Sequence, residues 1–218
     1  MVRAGRRARF RWWWLALAAA VAVLVPVAVV ALPILLHDDQ GGSGQAGFDE
    51  RWPTSVTATG DDGRTRSFDV LSSEPGASVD TSALGAGDRL VVSGTGYDGS
   101  RGIYVAICKI PDDAETKPGP CLGGVPDQEG ADGSTVGAVE YAPSNWINDD
   151  WAWKLFGARS YDDLGAGTFT AYLEVGDPVG ENLDCTVDAC GIFTRNDHTA
   201  LNDRSQDLYV PVGFAAAG

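Results

Sequence analysis

Few residues in this chain could carry out catalysis. Its two histidines are His37, at the end of an apolar run, and His198. His198 stands in a polar stretch with Arg195, Asp197, Asp203, Arg204 and Ser205. A nucleophile, base and orienting acid can be written from Ser205, His198 and Asp203, the set that acyl transfer uses. No nucleophile elbow or oxyanion loop accompanies them. The stretch therefore reads as a solvated, ion-paired turn, and the chain as no enzyme. His198 and Tyr209 are the candidate haem ligands, and Asn196-Asp197-His198 is a weaker candidate for a divalent cation. No cofactor and no metal are expected.

The other reactive residues are Cys108, Cys121, Cys185 and Cys190. An even number of cysteines in an oxidising compartment implies disulfides. Three connectivities are open, and the sequence-local one, Cys108–Cys121 with Cys185–Cys190, is preferred. A four-cysteine zinc site needs two close pairs, which the 12-residue gap between Cys108 and Cys121 does not supply. For recognition, the densest aromatic patch is the candidate surface: Tyr141, Trp146, Trp151, Trp153, Phe156 and Tyr161. Tryptophan and tyrosine are favoured where partners bind, and equally where they cover the end of a small sandwich.

The compartment follows from the N-terminus. Residues 1–11 carry five arginines and no acid, and residues 12–36 carry no charge. About 20 apolar residues suffice to cross a bilayer as a helix. The arginines should stay in the cytoplasm, which sends the rest outside. Trp12, Trp13 and Trp14 lie where an interfacial belt would be. The rival reading is a signal peptide cleaved after Val29-Val30-Ala31. The apolar run continues past that site, so a single-pass cell-membrane anchor is preferred. Removing the five arginines leaves 16 − 5 = 11 basic against 30 acidic residues, near −19 for the exported part. Such a surface disfavours nucleic acid, whose binding needs clustered Lys and Arg.

Residues 37–51 (HDDQGGSGQAG and its flank) read as a flexible linker. Residues 52–76 read as a hairpin turning at Asp61-Asp62-Gly63. Strands are expected at Ala77–Asp80, Asp88–Ser93, Gly102–Ile110, Thr135–Tyr141 and Gly167–Val175. A last hairpin closes the chain through Leu208, Val210, Val212 and Phe214, and 215–218 is a tail. The Gly102–Ile110 strand is apolar on both faces, as a central strand is. Pro111–Gly133 is a long polar loop, of the kind usually functional or mobile. Asn148, Asp149 and Asp150 can cap a helical turn over Trp151–Phe156. Many short strands with glycine-rich turns mean an all-β sandwich.

Residues 77–214 resemble the neocarzinostatin-like β-sandwich family of actinobacteria. ASVDTSALGAGDRLVVSGTGY looks like that family's first two strands, Cys108 matches its strand-ending cysteine, and Asp184-Cys185…Ala189-Cys190 is the most specific match. The resemblance implies an immunoglobulin-like fold, two short-range disulfides and a cleft, which in the antibiotic carriers holds an enediyne chromophore. The Cys108–Cys121 loop is longer than that family's, and the anchor and the 52–76 hairpin are additions to it. RGIYVAICKIP…GPCLGG and CGIFTRNDHTALNDRSQDLYVPVGF also resemble the C-terminal segment of actinobacterial HtaA-type haem-uptake surface proteins. That resemblance implies a cell-envelope setting. The expected molecule is an immunoglobulin-like two-sheet sandwich with an extra N-terminal hairpin, preceded by one transmembrane helix. Its expected role is that of an extracellular, non-catalytic binding module for a protein or a small hydrophobic ligand. A haem-uptake accessory or a passive envelope component are the alternatives.

Overall fold

The computed structural model of the chain describes residues 5–123 and 140–215. They fall into two units, 1–37 and 38–218. The first is helix α1, Gly5–Leu35. Its segment Trp12–Leu32 is 21 residues long and reaches a mean hydropathy of 2.9 over 18 of them, enough in length and composition to cross a membrane. Apolar side chains occur all round the segment from Trp12 onward rather than on one stripe, the pattern of a helix removed from water on every side.

The second unit is a two-sheet β-sandwich. Strands β1 (Ser55–Thr59), β2 (Thr65–Ser72), β3 (Arg89–Thr95) and β6 (Phe169–Glu174) form one antiparallel sheet in the order β1-β2-β3-β6. Strands β4 (Ile103–Lys109), β5 (Ser144–Ile147), β7 (Cys190–Asn196) and β8 (Tyr209–Val212) form the other, in the order β5-β4-β7-β8. The N-terminal hairpin is half of the first sheet, because β2 pairs with β3 from Ser67↔Thr95 to Ser72↔Leu90. Alternation decides which face turns inward: on β6, Phe169, Ala171 and Leu173 are buried and the residues between them are not. Phe68, Phe169, Ile103 and Ile147 are almost fully buried between the sheets. Each such side chain contributes about 1.5–3 kcal/mol.

Short helix α2 spans Trp151–Lys154. Asp150 is its N-cap, accepting the Ala152 N–H at 2.9 Å. The two cysteine pairs are Cys108–Cys121 and Cys185–Cys190, and no described cysteine is free.

Several expectations need correction. Ala77–Asp80 is not a strand; the Asp80 carboxylate instead accepts the Ser82 N–H and Oγ–H and turns the chain. Strand β5 was not expected: it is four residues long, too short to show periodicity. The expected strand at Thr135–Tyr141 lies largely outside the described residues. The flexible linker is in part a strap on the sandwich. Gly41 C=O accepts the Arg204 N–H, Gly42 bonds Asp61, and Gln45 bonds Tyr209. Glycine lets this strap lie close: a Cβ on Gly44 would sit 2.0 Å from the Thr59 carbonyl.

Candidate binding site

The outer face of the second sheet is where side chains converge. Register places Tyr104, Ala106 and Cys108 of β4 opposite Arg195, Phe193 and Gly191 of β7, all pointing away from the core. Tyr209 of β8 stands opposite Phe193. The two rings stack with centroids 4.7 Å apart and planes 21° apart. Gly191 leaves them room, since a Cβ there would meet Tyr209 Cδ2 at 3.0 Å and Phe193 Cε2 at 3.3 Å. Ala106, Cys108 and Phe193 thus form a second apolar cluster, joined by Ile110, Cys121 and Tyr209.

A loop covers this cluster. It leaves β4 at Ile110 and returns at Cys121, where Lys109 N–H bonds Pro120 C=O and Leu122 N–H bonds Ile107 C=O. The Cys108–Cys121 bridge ties the return to the strand. Pro118 C=O accepts Arg195 Nη1–H at 2.7 Å, which presses the loop onto the sheet. On the other side the strap supplies Gln45, whose amide donates to Tyr209 C=O at 3.0 Å and accepts Tyr209 N–H at 2.8 Å. Phe48 meets Tyr209 edge-on. Between loop, strap and stacked rings is a cavity of about 230 Å³, lined among others by Gln45, Pro118, Phe193, Asp207 and Tyr209.

The β7–β8 connection, expected as a solvated turn, is buried instead. Asp197, Asp203 and Arg204 are all removed from water. Asp197 accepts from Trp146 Nε1, Asn148 Nδ2 and the Thr199 N–H and hydroxyl. Gly102 makes this possible, because a Cβ there would lie 1.9 Å from Asp197 Oδ2. Asn196 and Gln206 bond each other side chain to side chain. These bonds replace the water that burial removes, as buried polar groups require. Arg204 Nη1 pairs with Asp207 Oδ2 at 2.8 Å, and both side chains are less than a tenth exposed.

Burial pushes the Asp207 carboxyl up to about 6 against the pull of Arg204. The folded chain then holds this proton more tightly than the unfolded chain, whose aspartates titrate near 4. Between those two values stability from this group rises as pH falls, and the gain is complete below about 4. A carbon-detected titration should show the Asp207 Cγ resonance with its midpoint near pH 6; a midpoint near 4 would contradict the assigned environment.

No family model matches the chain, and no curated protein matches it. Among solved structures the chain is similar to macromomycin, of the neocarzinostatin family. The TM-score is 0.36 and the identity 18%, over 68% of this chain and 99% of that one. At that overlap the likeness carries no functional weight, and the chemistry must be read from the site itself.

The residues singled out in the sequence do not all meet here. Tyr161 is buried, its ring against Phe169 and its hydroxyl donating to Arg101 C=O. Tyr141 packs on Tyr172 beneath the Arg89 guanidinium, on the first sheet. Trp146 and Trp153 gather round His198, with ring centroids 5.3 and 4.6 Å from it. Tyr104 Oη and His198 Nδ1 share a hydrogen bond of 3.0 Å. Burial, with Asp197 nearby, pushes the Tyr104 hydroxyl up to about 12, so it stays protonated. Trp151 and Phe156 remain more than half exposed.

His198 therefore lies over β4 and β5, and Tyr209 lies on β8, so the two candidate haem ligands do not face one centre. Asp203 accepts the Ser205 N–H within its own turn, and His198 is engaged by Tyr104. Among the described residues no group of three His, Cys, Asp or Glu side chains could hold a metal ion. The sequence reading missed Phe193, Gln45 and Asp207. Phe193 was detectable: Ile192 and Phe193 are adjacent, and one apolar residue on each face of a strand signals a cover on both sides.

Proposed function

We propose that this chain is a membrane-anchored, extracytoplasmic, non-catalytic binding module. Its ligand is a small apolar or aromatic molecule held over the outer face of the second sheet. The observation that carries this reading is the stacked Phe193–Tyr209 pair, which floors a cavity that the disulfide-tied loop and the Gln45 strap wall in. Flat ring faces bordered by a few fixed polar groups are the usual make-up of a small-molecule site. The volume is below the range usual for drug-sized ligands, so the site fits a single ring system rather than a large molecule. Helix α1 supports anchorage by its length and apolar composition, and the two disulfides support an oxidising compartment.

The test is calorimetric titration of the full chain in lipid nanodiscs with indole-3-acetamide, a neutral aromatic probe. Binding is expected, weakened about fivefold or more in Phe193→Leu, which keeps an apolar side chain but removes the stacking partner. Heat indistinguishable from dilution in the unsubstituted chain would overturn the reading. Anchorage is checked separately: protease added to intact cells should remove residues 38–218 while α1 stays in the membrane fraction.

A further inference from the structure

Trp151 and Leu155 stand on one side of α2 and its C-cap, one turn apart, and are 62% and 73% exposed. Ala152 is the residue this helix buries. Phe156, Leu164 and Leu201 are also more than half exposed. All five lie at one end of the sandwich. Ile147 of β5 and Asn196 of β7 both stand opposite Ile103, so the 148–168 and 197–208 connections leave the second sheet side by side. Single exposed apolar residues are ordinary; several gathered at one end, two of them aromatic, mark a contact surface.

What that surface meets follows from where the chain comes in. Gly41 C=O accepts the N–H of Arg204, inside the 197–208 connection, and Gly42 bonds Asp61 in the β1–β2 turn. From this seat the strap passes Tyr209 and reaches Trp52, whose ring lies at Gly213, beyond the far end of β8. In sequence, residues 36–40 are all that separates Gly41 from Leu35, the last residue of α1. The exposed apolar end is thus the end at which the chain arrives from its apolar helix. The charges beside the patch are already satisfied. Asp149 pairs with Lys154 at 2.5 Å, Asp150 caps α2, and Asp163 accepts the Gly165 and Ala166 N–H groups. Protruding tryptophan, leucine and phenylalanine suit the interfacial layer of a bilayer, which needs no shaped pocket to receive them.

We propose that this end docks on a neutral lipid surface, with Trp151, Leu155 and Phe156 entering the interfacial layer of the bilayer that holds α1. This rests on the anchorage in the reading above and adds a second membrane contact to it. The experiment uses the full chain, a single copy per phosphatidylcholine nanodisc, with 5-fluorotryptophan in place of tryptophan. Trp151→Phe and Trp52→Phe assign those two fluorine resonances, and Trp52 serves as the reference at the opposite end of the sandwich. Lipid carrying a doxyl label near the headgroup should broaden Trp151 about threefold or more beyond Trp52. Leu155→Asp, which puts a charge into the patch, should bring the two within about twofold. Trp12, Trp13 and Trp14 report on the anchor and should be broadened throughout. Trp151 behaving like Trp52 while those three are broadened would overturn the inference and leave the anchor standing. So would a Trp151 broadening that survives Leu155→Asp. No broadening of Trp12, Trp13 and Trp14 would remove the anchorage itself, and the inference with it.

Discussion

Replacing Arg204 with leucine should cost the folded chain about 3–5 kcal/mol at pH 7.5, the penalty for leaving one partner of a buried ion pair alone. Total stabilities of small domains are about 5–15 kcal/mol, so this is a large share. Asp207 is the partner left behind. It is buried, its Oδ2 is 2.8 Å from Arg204 Nη1, and its Oδ1 has only a long bond of 3.3 Å from the Asn196 N–H. Arg204 also donates through Nη2 to Leu201 C=O, so the turn loses a second bond. Without Arg204 the carboxyl, already at about 6, moves further up. The deficit should therefore shrink at pH 5, where Asp207 is protonated in the variant. Adding Asp207→Leu should recover much of the loss, because an apolar pair of similar volume needs no counter-charge. Guanidinium unfolding at both pH values reads all three results. A single-variant loss below 1 kcal/mol at pH 7.5 would mean that the pair is not buried as described.

Removing the Cys108–Cys121 bridge should produce two effects at once. The double variant Cys108→Ala/Cys121→Ala is expected to lose about 2–4 kcal/mol of stability, as the unfolded chain regains the freedom of the closed loop. It should also bind indole-3-acetamide about tenfold or more weakly, since the loop that walls the cavity is then held only by backbone bonds and by Arg195. Cys185→Ala/Cys190→Ala makes the contrast. That bridge closes a shorter loop, lies in the main core cluster and borders a different cavity. It should lower stability and leave probe binding close to that of the unsubstituted chain. Equal weakening by both double variants would show that the effect is general loosening, not loss of a wall.

The strands legible in the sequence were those with a strict period of two. GTFTAYLEV and RTRSFDVL alternate cleanly because one face of each meets the core and the other does not. The local disulfide pairing was legible for a related reason: strand-end cysteines have few partners within reach. Strand β5 was not legible, since SNWI is held in place by pairing with β4 and by Trp146 donating to Asp197, both non-local. The candidate site was mostly hidden. Tyr209 and Phe193 share a face only through the β7–β8 register, and Pro118 meets the sheet only because a loop folds back onto Arg195. The 37–51 stretch misled by composition. Its glycines read as slack, yet Gly41 and Gly44 take positive φ and let the backbone hug the turn at Asp61.

Edge strands expose bare amides that a neighbouring molecule can extend into a longer sheet. On β8, the outward N–H and C=O of Tyr209 are both consumed by one glutamine side chain, and Pro211, two residues on, has no N–H to offer. The stretch that follows the apolar helix in sequence thus doubles as a guard rail. Neighbouring molecules are kept from zipping together along that strand, so its edge does not template a longer sheet.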